Sequence, residues 1–264
     1  MTLRIHNTLG RKKEEFIPLE DSSVKIYVCG PTVYNYISIG NARPIIVFNM
    51  VKNYLKYLGY NVGMVQNITD IEDKIINKSN QEGVSFDVIT KRYIDAFLED
   101  INNLNISSID HIPLATEMIP QIISTIELII KNGYAYEVNG SVYFSVEKFP
   151  EYGKLSGRKK EELLSGARVE VNDEKKNPLD FALWINAPKE HLLKWKSPWG
   201  EEGYPGWHIE CSVMSCDLLG QKTFDIHGGG NENIFPHNEN EITQSEAFLG
   251  EKMANYWILW NMVN

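Results

Sequence analysis

The chain has 264 residues, 43% of them hydrophobic and 23% charged, with a formal net charge of −9. That balance suits a soluble globular protein with a core of its own. No run of apolar residues is long enough for a membrane span, and "MTLRIHNTLGRKKEEF" lacks the apolar centre of a secretory signal, so a cytoplasmic protein without a membrane partner is expected. The acidic charge gives no global sign of a nucleic-acid partner, although a local basic patch can still grip RNA. Cys29, Cys211 and Cys216 are odd in number and widely spaced, which argues against a disulfide framework. From count alone, three buried thiols is the plain expectation.

Val24 to Cys29 is rich in β-formers and reads as a strand. A helix should follow, with Pro44 in its first turn, Gly59 as its stop, and an apolar face of Ile46, Phe48, Val51, Tyr54, Leu55 and Leu58. "NVGMVQNIT" reads as a second strand, "DIEDKIINKSNQEG" as a helix closed by Gly83, and "SFDVITKRYIDAFLEDINNLN" as another helix. Strand, helix, strand and further helices begin a parallel α/β sheet. The character changes near residue 115. "MIPQIISTIELIIKNG" is a helix stopped by Gly133, and Asn139-Gly140 joins two alternating runs as a hairpin. "SGRKKEELLSGARVEVNDEKKNP" reads as a mobile loop, and the stretch to Trp207 is dense in Trp, Pro and Gly. The strand–helix rhythm then returns with "HIECSVMSCDLLG", "TFDIHGGG" as a strand entering a glycine turn, "HNENEITQSEAFLG" and "NYWILWNMV". The expected organisation is α/β, with 1–114 and 206–264 as two halves of one domain and 115–205 as a mixed α+β insertion. The last apolar strand runs straight to Asn264, and an interrupted fold is expected there.

The junction "YNYISIGNARP" joins the first strand to its helix. A helix N-terminus favours an anion, Gly40 lets a phosphate approach the backbone, and Arg43 adds a cation. A plain strand–helix turn is an equal alternative from spacing alone. Among donors, His237 and Glu241 lie four apart on one helix face. In a parallel sheet, strand ends and helix starts converge on one edge, so Cys29, Cys211, His237 and Glu241 have a way to meet. Two thiolates, an imidazole and a carboxylate suit Zn²⁺. His208 and His227 are rival ligands. Cys216 lies five residues beyond Cys211, about 140° around a helix, and should face elsewhere. Three glycines after His227 favour ligand approach over a simple turn.

Together, "YVCGPTVYNYISIGNARP", "NITDIEDKI", "GARVEVNDEKKNPLDFALW", "SPWGEEGYPGWHIECSVM", "FDIHGGG" and "FPHNENEITQSEAF" resemble the cysteinyl-tRNA synthetases, a class I aminoacyl-tRNA synthetase family. The likeness runs from residue 27 to 248 in the family's order. It implies a Rossmann-like catalytic domain split by an insertion. It also implies formation of cysteinyl-adenylate from cysteine and ATP, with Mg²⁺, followed by transfer to tRNA(Cys). It implies one Zn²⁺ per chain on Cys29, Cys211, His237 and Glu241, holding the substrate thiolate. Thr69 and Trp207 match the amino-acid pocket, and Gly30, Thr32, Gly40, His227 and Gly229 are expected around the substrates. Ser38 and Asn41 occupy the catalytic signature positions, and a monomer is expected.

The chain departs from the family pattern in several places. The class I signature opens with histidine where this chain has Ser38. Its fourth position, often histidine, is Asn41, which is common in this family. "PHHENE" is here "PHNENE", changed at Asn238 rather than at His237. Asn231-Glu232 follows the glycines where "SD" is usual. The lysine-rich "KMSKS" loop is expected beyond Asn264, with the helical and anticodon-binding domains, so the likeness covers about the first half of a full synthetase. Ser38 offers one neutral hydrogen bond where an imidazole would contact the ATP phosphates. Losing a charge-assisted bond costs about 1.5–3 kcal/mol, roughly 10–150-fold in rate if expressed only in the transition state. Two other readings stand beside the catalytic one: a degenerate paralogue that binds zinc and cysteine with little catalysis, and a cysteine ligase with a non-tRNA acceptor.

Overall fold

The structure, a computed structural model, describes residues 2–159, 162, 174–220 and 223–261. In chain order its main elements are β1 (Arg4–Asn7), β2 (Lys12–Glu15), β3 (Ser23–Val28), α1 (Ile39–Tyr57), β4 (Asn61–Gln66), α2 (Asp73–Glu82), α3 (Phe86–Asn103) and α4 (Ile119–Lys131). There follow β5 (Ala135–Val138), β6 (Ser141–Phe144), β7 (Phe181–Asn186), β8 (Trp195–Ser197), β9 (Gly200–Pro205), α5 (Trp207–Leu218), β10 (Phe224–Gly230), α6 (Glu239–Leu249) and β11 (Ala254–Trp260). Most of the polar loop expected after Leu155 lies outside the described residues.

The chain forms two compact units. The first takes residues 1–117, 214–233 and 254–264. Its sheet is parallel, in the order β11-β10-β3-β4. Isolated parallel bridges from Val65 to His111 and Ile68 to Leu114 continue it beyond β4. Val24, Ile26, Val28, Phe48, Val62, Met64 and Ile226 form its core. Strands of a parallel sheet are covered on both faces, so they carry near-continuous apolar runs. The second unit takes 118–213 and 234–253. Its antiparallel sheet has the order β5-β6-β7-β9-β8. Helix α4 buries Ile119, Ile122, Ile126 and Ile129, one stripe at helical spacing. At the β5–β6 turn Asn139 and Gly140 both take positive φ, 51° and 84°, as a two-residue type I′ connection requires.

Helix α1 begins five residues before Pro44. Ser38 caps it: its Oγ accepts from the Asn41 N–H at 3.2 Å, and the Asn41 side chain accepts from the Ser38 N–H at 3.0 Å. This reciprocal box outweighs the proline's preference for the first turn. The buried face also differs from the expected one. Gly40, Pro44, Ile45, Phe48, Lys52 and Leu55 are buried, while Ile46, Tyr54 and Leu58 are exposed. Buried Lys52 is tolerated because its ammonium is bonded to the Ser108 carbonyl and the Asp110 carboxylate.

The glycines of "DIHGGG" are strand, not turn. Gly228 to Gly230 pair with Ile258 to Trp260 of β11, and all three are buried. A Cβ on Gly228 would lie 2.1 Å from the Phe48 ring, so the missing side chain is the space the ring fills. Gly228→Ala is expected to lower unfolding free energy by about 1–3 kcal/mol through overpacking. Denaturant unfolding checks this, and an unchanged midpoint would show that Phe48 moves aside freely.

Candidate functional site

In the first unit, the strand-to-helix junction is built around β3 and β4. Cys29 directly follows β3, half-buried, with its N–H donating to the Gly228 carbonyl at 3.0 Å. A Cβ on Gly30 would sit 1.5 Å from the Asn67 carbonyl oxygen, so only glycine permits the approach there. Thr32 and Thr69 form a parallel bridge. The Thr69 N–H donates to Pro31 O at 3.1 Å and its carbonyl accepts from Val33 N–H at 3.2 Å. A small polar cleft is lined by Cys29, Gly30, Asn41, Gln66, Gly230 and Glu232, among others. The start of α1, with Gly40 buried in its first turn, gives this unit a helix N-terminus of the kind that binds anions. The Ser38 hydroxyl is engaged within the cap, where it also contacts Asn41 Oδ1 at 2.8 Å. Arg43 donates to the Asn261 carbonyl at 2.7 Å.

His227 is fully buried in β10. Its ring stacks on Trp257 with centroids 4.1 Å apart and lies 5.5 Å from that of Tyr27. Gly229 lies beside Cys29, whose Cβ would be 3.8 Å from an added glycine Cβ.

The second unit holds a donor cluster. Ligand atoms of Cys211, His237 and Glu241 lie within 4.8 Å of one another, and all three residues are buried. Donors placed tetrahedrally around zinc stand roughly 3.5 Å apart, so small side-chain adjustments suffice to close on an ion. His237 Nε2 meets Glu241 Oε1 at 3.0 Å, and the same oxygen accepts from Asn238 Nδ2 at 2.9 Å. His237 and Glu241 owe this meeting to their i, i+4 spacing. His208, one turn before Cys211 on α5, bonds His237 through their Nδ1 atoms at 3.0 Å. It is a neighbour of the cluster rather than a rival to His237.

The electrostatics match the chemistry. Burial opposes a charge on His237, but the Glu241 carboxylate and the Cys211 sulfur outweigh it and drive its pKa up. Burial, then the charge of His237, drive His208 down, which favours a neutral ring beside His237. An imidazole pulled toward protonation by two anionic donors marks a pocket that favours a cation, and thiolate–imidazole–carboxylate is a zinc donor set. The residues therefore fit Zn²⁺. Cys216, five positions on, is half-buried, as is Cys29, so the cysteines are not three uniformly buried thiols.

Helix α6 supports the cluster at some cost. Glu239, Asn240, Glu241, Thr243, Gln244 and Ser245 are all buried, which is unfavourable unless each group finds partners. Glu239 accepts from the Ser156 N–H at 2.8 Å, Asn240 from Tyr152 Oη at 2.7 Å, and Thr243 Oγ1 donates to Glu239 O at 2.7 Å. Trp207 opens α5, 42% exposed, with its ring 4.3 Å from that of His237. The preceding Gly206 donates to Leu183 O at 2.9 Å, and a Cβ there would lie 2.1 Å from the Ala182 carbonyl oxygen. That close approach sets where α5 begins.

Asn238 and His208 are the supporting residues that spacing alone did not single out as such. The signal for His208 was its three-residue offset from Cys211, one turn on the same face. Asn238 was marked only as the altered position of "PHNENE", which gave no sign of its bond to Glu241.

The chain is 54% identical over 262 residues to the cysteine--tRNA ligase of Clostridioides difficile, covering 99% of this chain and 56% of that protein. It is 55% identical over 256 residues to the cysteine--tRNA ligase of Carboxydothermus hydrogenoformans, covering 97% and 54%. The chain thus spans about half the length of the curated relatives it matches. Among solved structures, the Mycobacterium tuberculosis methionyl-tRNA synthetase in complex with methionyl-adenylate superposes with a TM-score of 0.68. That match covers 91% of this chain and 57% of the other at 10% identity, a likeness of fold. The family described as tRNA synthetases class I (C) catalytic domain matches residues 15–264, and with its parallel α/β sheet the chain belongs to that family.

Proposed function

We propose that the chain recognises cysteine and ATP, forms cysteinyl-adenylate, and belongs to an enzyme that passes the cysteinyl group to tRNA(Cys). The observation that carries this reading is the buried cluster of Cys211, His237 and Glu241, a soft donor set suited to a metal that takes a thiolate. Sequence relatives carry the name cysteine--tRNA ligase.

In this reading Cys211, His237 and Glu241 hold one Zn²⁺, with Cys29 at the end of β3 as the fourth ligand. When bound, the ion supplies a Lewis acid that takes the substrate sulfur as thiolate and so separates cysteine from serine. Asn238 fixes the Glu241 carboxylate and His208 fixes the His237 ring. Thr69 and Trp207 bound the amino acid. Gly30, Thr32 and Gly229 bring backbone close to the substrates, with His227 holding β10 against Trp257. ATP, with Mg²⁺, lies against the start of α1, where the first-turn N–H at Gly40 and the side-chain amide nitrogen of Asn41 are the donors for the phosphates.

The structure also favours a second reading, in which zinc and cysteine bind with little catalysis. Its observation is Ser38, whose hydroxyl is spent on the helix cap rather than left for a phosphate. Cysteine-dependent exchange of pyrophosphate into ATP decides between the two. Exchange with cysteine and none with serine supports the first reading. Zinc and cysteine binding with no exchange supports the second. In either case Ser38→Ala is expected to cost about 1 kcal/mol of stability through loss of the cap, measured by urea unfolding. A loss below roughly 0.3 kcal/mol would show the box carries little of the helix.

A further inference from the structure

Asn67 is fully buried and lies behind both Gly30 and Thr69. Its Oδ1 accepts from the Gly30 N–H at 2.9 Å and from Tyr27 Oη at 3.0 Å. A backbone N–H only donates, so the atom facing Gly30 is the amide oxygen and the orientation of the amide is fixed. The amide nitrogen then faces Thr69, donating to its Oγ1 at 3.2 Å. The Thr69 hydroxyl is thereby an acceptor toward Asn67, and its single hydrogen is left to point away. The backbone of Thr69 is held by Pro31 and Val33, and the residue is buried with its hydroxyl against the Asn67 amide.

We infer that Asn67 is a positioning residue that sets the polarity of the Thr69 hydroxyl, making it a hydrogen-bond donor toward an anionic acceptor of the bound amino acid. This rests on the proposed reading of the chain as a cysteine-activating enzyme. Asn67 touches no substrate; it acts through Thr69 and, by its oxygen, holds the turn that carries Cys29. A carboxylate at position 67 would keep the acceptor for Gly30 and turn the Thr69 hydrogen inward, presenting lone pairs to an anion.

The test is calorimetric binding of cysteine to the zinc-loaded chain. Asn67→Asp is expected to weaken binding roughly tenfold or more with zinc content held at the parental value. Thr69→Val should fall as far, Thr69→Ser should recover most of the loss, and adding Asn67→Asp to Thr69→Val should change affinity by less than about twofold. Cysteamine, which has no carboxylate, tells the two acceptors apart. Equal weakening of both ligands points to the sulfur, and weakening of cysteine alone to the carboxylate; either supports the assignment. Parental affinity in Asn67→Asp, or a full further loss in the Thr69→Val background, overturns it. If Asn67→Asp does not fold, the Thr69 pair still decides: equal affinities of Thr69→Val and Thr69→Ser overturn the donor role. A parental chain that does not bind cysteine overturns the reading of the site, whereas a parental chain that binds with unaffected variants overturns the role of Asn67 alone.

Discussion

Cys211→Ala is expected to purify with less than about a tenth of the parental zinc, while Cys216→Ala keeps about one ion per chain. The two thiols share a helix, differ by five positions, and differ in surroundings. Cys211 is buried with its sulfur against His237 and Glu241, whereas Cys216 lies about 140° further round. Removing a thiolate leaves the cluster an imidazole, a carboxylate and whatever Cys29 contributes, and the soft donor that favours zinc over harder ions is halved. Asn238→Ala acts on the same ion indirectly. It removes the donor that fixes Glu241, and loss of such an outer partner lowers metal affinity about 10–100-fold. Metal analysis after dialysis against a weak chelator separates the three variants. Equal zinc in Cys211→Ala and Cys216→Ala would remove Cys211 from the ligand set.

Cysteine is expected to bind on the order of 10³-fold more tightly than serine. Sulfur and oxygen differ too little in size for shape alone to separate the two amino acids by more than about 10–200-fold. A metal discriminates by softness and by thiol acidity. A thiol ionises near neutral pH and a serine hydroxyl does not, so only cysteine offers an anionic soft ligand. Calorimetry with both amino acids, on zinc-loaded and chelator-treated chain, reads the effect. The preference should collapse when the metal is removed. Comparable affinities in the loaded chain would mean the ion does not meet the side chain.

Local chemistry made much of the fold legible. Gly59, Gly83, Gly133 and Gly250 each follow a helix with positive φ, and each marks its stop in the sequence because an L side chain resists that conformation. Asn139-Gly140 marked its hairpin for the same reason. What local chemistry did not reveal depended on distant partners. The glycines after His227 look like a turn in one dimension and are strand in three, because Phe48, 180 positions away, occupies the space beside Gly228. The start of α1 was hidden by Pro44, whose preference for the first turn gave way to the cap made by Ser38 and Asn41. Strands β7 to β9 were obscured by Trp, Pro and Gly.

The site divides in the same way. His237 and Glu241 were legible from their spacing, and Cys211 from its chemistry. His208 was marked by its offset from Cys211, but as a rival ligand rather than a neighbour of His237, and nothing in the spacing of Asn238 and Asn67 distinguishes them from solvated polar residues. Only burial and partner identity do so. Helix α6 makes the point physically: a segment reading "ENEITQS" suits a solvent-facing helix, yet it is buried, and bonds from Tyr152, Ser156 and Ser212 offset only part of that cost.

The central proposal is that Cys29, Cys211, His237 and Glu241 would hold a zinc ion with a position open to the substrate sulfur. X-ray absorption at the zinc edge measures this without reference to turnover. The resting chain should show about two sulfur ligands near 2.3 Å and two lighter N/O ligands. Adding cysteine should raise the sulfur count to about three, and adding serine should leave it at about two. A count unchanged by cysteine, or a resting site with no sulfur, would contradict the account.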